Sequence, residues 1–94
     1  MTIEEIRRQI AEVDDRLMEL IARRQELAGK LAVLKYREGQ PIVDERQRAV
    51  VLQAALEKAV ELQVNPEYVQ EIFKILIEMS EERQRGCSGE GNLP

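Results

Sequence analysis

Apolar residues recur along residues 2–37 at Ile6, Ile10, Val13, Leu17, Leu20, Leu27, Leu31 and Leu34. The steps alternate between four and three, which traces one stripe along an α-helix. The stripe breaks once, between Leu20 and Leu27, where Arg24 stands at the missing position. An ion taken out of water costs several kcal/mol unless opposite charge meets it. Arg24 is therefore expected to meet either a carboxylate of the chain, Asp14 or Glu78, or an anion that is not protein. Thr2 with Glu5 three residues later forms a capping box that starts this helix. Gly39 and Pro41 close it after about Arg37. At 1.5 Å per residue it runs for roughly 50 Å, whereas a compact chain of this length spans only about 25–30 Å. The helix overhangs any monomer its own chain can build, so its seam calls for a partner, most simply a second copy of itself. Gly29 in mid-helix costs about 1 kcal/mol against alanine, and close helix packing is the preferred reason for it.

After a short loop at residues 39–43, Asp44 is the expected N-cap of a second helix, with Gln47 in the matching capping position. Its apolar stripe is Val51, Leu52, Ala55, Ala59 and Leu62. Counted backwards, that face becomes polar at Arg48 and Asp44. Asn65-Pro66, an N-cap followed by proline at the first helical position, starts a third helix. Its stripe is Val69, Ile72, Phe73 and Leu76, turning polar at Ser80 and Gln84. Gly86 is expected to end it, leaving residues 1–85 as one domain and 86–94 as a disordered tail. The fold class is all-α, with three helices per chain.

Composition narrows the function. Charged residues make up 34% of the 94 and aromatics 3%, so the core must be aliphatic, which suits helices packed on helices. Fourteen Lys and Arg against eighteen Asp and Glu give a net charge of −4, which lacks the basic stripe of a nucleic-acid binder. No apolar run is long enough to cross a membrane and no secretory signal is visible. A single cysteine, Cys87, suits a reducing cytoplasm. With no His and one Cys, thiolate–imidazole catalysis, soft-metal sites and a bound cofactor are not expected.

Arg24 and Lys35 lie eleven residues apart, close to three turns, and so share a face. Arg7 is rotated roughly 100° from Arg24 and does not easily join the same pocket within one chain, whereas across an antiparallel dimer it can reach the partner's pocket. Each residue also has a plain structural reading. Arg7 alone reads as a solvated surface residue, and Lys35 as a complement to the helix dipole. Asp44 and Gln47 are explained by capping, and Ser80 and Gln84 by a wet helix end. Their coincidence on inward faces, with cations dominating, points instead to a pocket for a small polyanion.

Those positions carry a resemblance. Ile6-Arg7-Arg8-Gln9-Ile10, Val13-Asp14, the run from Leu20 through Arg24 to Ala28, Lys35, Pro41-Ile42, Asp44, Ile72-Phe73, Ile77-Glu78, Ser80 and Gln84 resemble the all-helical (AroQ-type) chorismate mutases without a gap over residues 3 to about 85. The resemblance implies an intertwined helical homodimer in which Arg7 is donated to the partner's site. It implies that Arg24 grips a substrate carboxylate, that Lys35 contacts a carboxylate and the ether oxygen, and that Gln84 bonds that oxygen. Asp44 and Ser80 match further substrate-binding positions. The implied reaction is the [3,3] rearrangement of chorismate, a small dianion, to prephenate in phenylalanine and tyrosine biosynthesis. It departs at Gln47-Arg48, where the family usually has Arg-Glu, the glutamate on the substrate hydroxyl. Arg48 is then expected to supply the carboxylate charge and Asp44 to hold the hydroxyl. Two alternatives stay open: an isochorismate-pyruvate lyase on the same fold, and a non-enzymatic helical dimer.

Overall fold

The computed structural model describes residues 1–87 and consists of α1 (Ile3–Glu38), α2 (Glu45–Glu61) and α3 (Pro66–Cys87). The chain is all-α, and the caps form where local chemistry places them. Thr2 accepts from the Glu5 amide while the Glu5 side chain accepts from the Thr2 amide, completing the box. Gly39, at φ 68°, turns the chain out of α1 in the left-handed region that glycine adopts without strain. Asp44 caps α2 through the Gln47 amide, and the Asn65 side chain accepts from Glu67 ahead of α3. Gln63, at φ 60°, makes the corresponding left-handed turn after α2.

α3 packs against both α1 and α2, whereas α1 and α2 do not pack on each other. Two crossings fix the alignment: Arg24 reaches the Leu76 carbonyl and Gln25 the Met79 carbonyl, so α1 and α3 run in the same direction. The molecule measures 54 × 30 × 15 Å, and its long axis equals the length of a 36-residue helix, α1. Its radius of gyration is 16.5 Å, well beyond the ~12 Å of a compact chain this size.

Several expected faces shift. The seam of α1 is not buried within one chain: Ile6, Ile10, Val13, Leu17, Leu20, Leu27, Leu31 and Leu34 are all 39–65% exposed. α3 instead covers Ala28, Gly29 and Ala32, because small side chains let a helix approach closely. A Cβ on Gly29 would stand 3.3 Å from the Arg83 guanidinium, the far end of a side chain of α3 rather than its backbone. On α3 the buried line is Ile77, Glu81 and Gln84, and Ile72 is turned out to solvent. Leu62 caps α2 and is exposed. Gly86 does not stop α3, which continues to Cys87. Its backbone stays helical and only Gly39 among the described glycines has positive φ. A glycine in the last turn costs the helix only about 1 kcal/mol. The remainder of the expected tail, residues 88–94, lies outside the described residues. Among the described residues, no helix is long and apolar enough to cross a membrane.

Candidate active site

Because α1 and α2 stand apart on α3, a cavity of about 280 Å³ opens between them. α1 contributes Arg24 and Lys35 over Leu27, Ala28 and Leu31. Arg24 is half-buried, and its Nη1 donates to the Leu76 carbonyl at 2.9 Å. Lys35 Nζ donates to the Ile42 carbonyl at 2.8 Å, which ties the lysine to the loop before α2. Neither cation is paired with a carboxylate among the described residues, so the bridges to Asp14 and Glu78 do not form. Each still has N–H donors beyond the one used.

Asp44, Gln47 and Arg48 enter from the loop and the first turn of α2. The Asp44 carboxylate is exposed, and Oδ1 accepts from the Gln47 amide at 3.0 Å. Arg48 is committed to protein carboxylates. Its Nε and Nη2 donate to Glu81 at 2.7 and 2.6 Å, a bidentate fork, and Nη1 donates to Glu45 at 3.1 Å. The charge that the sequence assigns to a substrate carboxylate is thus hydrogen-bonded to protein carboxylates through all three guanidinium nitrogens. The hydrogen bonds from Arg48 hold the Glu81 carboxyl below the usual carboxylate range, against the burial that opposes this. Glu81 is the cavity residue that sequence reasoning missed. The available signal was its place four residues after Ile77 and three before Gln84, on the line that proves to be buried.

Ser80 and Gln84 come from α3. Gln84 is 3% exposed and its Nε2 donates to Ser80 Oγ at 3.1 Å, while its Oε1 is buried without a partner. An unpartnered buried polar atom costs about 1–3 kcal/mol, so the amide is built to meet something the chain does not supply.

Seven of the eight expected residues thus line one cavity. Arg7 does not: it lies in the exposed first half of α1, beside a separate shallow cleft with Met1 and Ile3. Seventeen residues of helix put it about 25 Å from Arg24 along the axis. Within the cavity Arg24, Lys35 and Arg48 outnumber Asp44 and Glu81 by one positive charge. Such a chamber can hold a small anion by two unpaired cations and can hydrogen-bond a neutral acceptor near Gln84. Ser80 is the single hydroxyl among the lining residues, and its bonded neighbour is an amide rather than a base. No group of three or more His, Cys, Asp or Glu among the described residues is arranged to hold a metal.

Residues 6–85 match the family model described as chorismate mutase type II. No individual curated protein and no solved structure gives a significant match. The match spans most of the chain, and the chain belongs to that family.

Proposed function

We propose, with membership of the chorismate mutase type II family as the premise, that this cavity rearranges chorismate to prephenate. The observation that carries the reading is the pair of unpaired cations, Arg24 and Lys35, facing one chamber with the unsatisfied amide of Gln84. The reaction is concerted and needs no nucleophile, proton transfer or metal. The enzyme must hold a flexible dianion in its folded conformer and stabilise negative charge that grows on the ether oxygen as the C–O bond breaks. Arg24 grips one carboxylate, and Lys35 contacts a carboxylate and the ether oxygen. Ser80 lies beside the same group. Gln84 donates to the ether oxygen: rotating its amide by half a turn keeps the Ser80 bond, with the hydroxyl now donating to Oε1. The rotation also turns Nε2 to where the unpartnered oxygen stood. Gln47, at the family's arginine position, leaves that corner neutral.

One positive charge does not balance a dianion, and the exposed seam supplies the remedy. Covering a leucine or isoleucine fully stabilises by about 1.5–3 kcal/mol, and the seam of α1 leaves all eight of its aliphatic positions uncovered. Two chains packed through these seams in antiparallel form a homodimer and bring Arg7 of each onto the partner's cavity. The chamber then carries two net positive charges against the substrate's two negative ones. The lone Cys87 fits a cytoplasmic setting for this work.

The test follows loss of chorismate by ultraviolet absorbance with wild type, Arg24→Ala and Lys35→Ala, and identifies the product. Prephenate formation that collapses in both variants supports the reading, and no turnover by wild type refutes it. Because Gln84 is neutral, activity should hold from neutral to mildly alkaline pH; a fall with an apparent pKa near 6 excludes its role. The Gln47-Arg48 departure warrants one further arm, incubation with isochorismate, where salicylate and pyruvate would reveal a lyase.

A further inference from the structure

On the basis of that reading of the site, we infer that Glu81, clamped by Arg48, recognises the ring hydroxyl of the substrate and thereby sets which hydroxylated substrate is accepted. Donors and acceptors decide it. Chorismate offers two carboxylates and an ether oxygen, all acceptors, and a single donor, its hydroxyl. Arg24, Lys35 and Gln84 serve the acceptors. A carboxylate in the same chamber repels the substrate's own and gains nothing from the ether oxygen. The hydroxyl is the one substrate group that can satisfy it.

Two carboxylates line the cavity, Asp44 and Glu81. Asp44 is exposed, so water competes for it, and one of its oxygens is engaged by the helix cap. Glu81 is 7% exposed and has both oxygens fixed by the Arg48 fork, at 2.7 and 2.6 Å. Each oxygen of a carboxylate held by a fork keeps a further lone pair. Arg48 is braced on its other side by Glu45 at 3.1 Å, so Glu81 presents those lone pairs in one orientation. Arg48 is here a positioning residue, and the hydroxyl passes from Asp44, where the sequence put it, to the third helix.

The test compares kcat/KM of the intact enzyme for chorismate and for 4-deoxychorismate, which lacks the hydroxyl, in wild type, Glu81→Gln and Asp44→Asn; asparagine still caps the helix. A hydrogen bond to a charged group makes wild type prefer chorismate by roughly ten- to a hundredfold. Glu81→Gln should lose most of that preference by falling on chorismate alone, while Asp44→Asn keeps the preference. A Glu81→Gln enzyme that falls equally on both substrates shows a structural staple and overturns the assignment, as does loss of the preference in Asp44→Asn instead. Should Glu81→Gln fail to fold, the double variant Arg48→Gln/Glu81→Gln removes the stranded charge and must lose the preference in the same way. Wild type inactive on both substrates refutes the reading of the site itself. Wild type active on both without preference refutes only the role of Glu81.

Discussion

The two halves of α1 share a helix and a seam but differ in what covers them. Every one of residues 3–20 is exposed, whereas the stretch from 21 to 38 carries the buried Ala28, Gly29 and Ala32 and both unpaired cations. The seam does not cause the difference, since Leu27 and Leu31 are exposed in the second half as Ile10 and Leu17 are in the first. The opposite face causes it. In the second half a line of small residues admits α3; in the first half the positions two heptads earlier are Asp14, Asp15 and Met18, which no helix of this chain approaches. One half therefore has two apolar faces, one covered by its own chain and one open, and the other half has the open face alone. The proposal that Arg7 completes a second copy's site rests on that asymmetry.

The sharpest way to break this comparison is Leu17→Glu. Pairing the seams buries two such carboxylates, each costing several kcal/mol without a partner. The expected outcome is a monomer by sedimentation with turnover gone and helicity largely kept. A dimer that survives would mean the first half is not the interface. Arg24→Leu acts on the other half. Removal of one preorganised cation should cut kcat by roughly a hundred- to a thousandfold, while the dimer persists and the unfolding midpoint holds or rises. A midpoint that drops would make Arg24 a structural strut. Mixing Arg7→Ala with Arg24→Ala joins the two halves in one experiment. Each is nearly inactive alone, yet half of the randomly reassorted dimers carry one intact site, so about a quarter of wild-type activity should return. No recovery would place Arg7 outside the site.

Much of this was legible because it is local. Thr2, Asp44 and Asn65 act on amides two or three residues away, and Gly39 on its own φ, so the caps can be read without knowing the fold. Arg24 was legible as a break in a period, and Lys35 as a residue at the same phase. What escaped depends on distance or size. Glu81 meets Arg48 across 33 residues of sequence and stands beside Glu82 in what resembles a solvated pair. Ala28, Gly29 and Ala32 carry little hydrophobicity, yet they decide where α3 docks. Ile72 and Leu62 fit buried stripes by sequence yet face solvent, because apolarity alone does not tell a helix which of two adjacent lines faces inward.

A smaller effect separates the halves by pH. The folded Glu81 carboxyl titrates below its unfolded value, about 4.3, because Arg48 hydrogen-bonds its ionised form. Its contribution is therefore complete above that value and is lost as pH falls through the lower, folded one. Denaturant midpoints measured downward from pH 5 should decline in wild type and decline less steeply in Glu81→Gln. Equal slopes would mean that the pair adds nothing to the packed half.

The smallest effect tests how tightly that half is packed. Gly29→Ala gains about 1 kcal/mol of helix propensity. The new Cβ lies 3.3 Å from Arg83 Nε and Nη2, a contact that must relax by a few tenths of an ångström. Those atoms end a long side chain on an exposed residue, so they can move aside without shifting either backbone. The variant should unfold at a higher urea concentration, at equal protein concentration because association adds to apparent stability. A lower midpoint would mean that the Arg83 guanidinium is held in place over Gly29, and that α3 is fixed to α1 by this contact as well as by the small residues beside it.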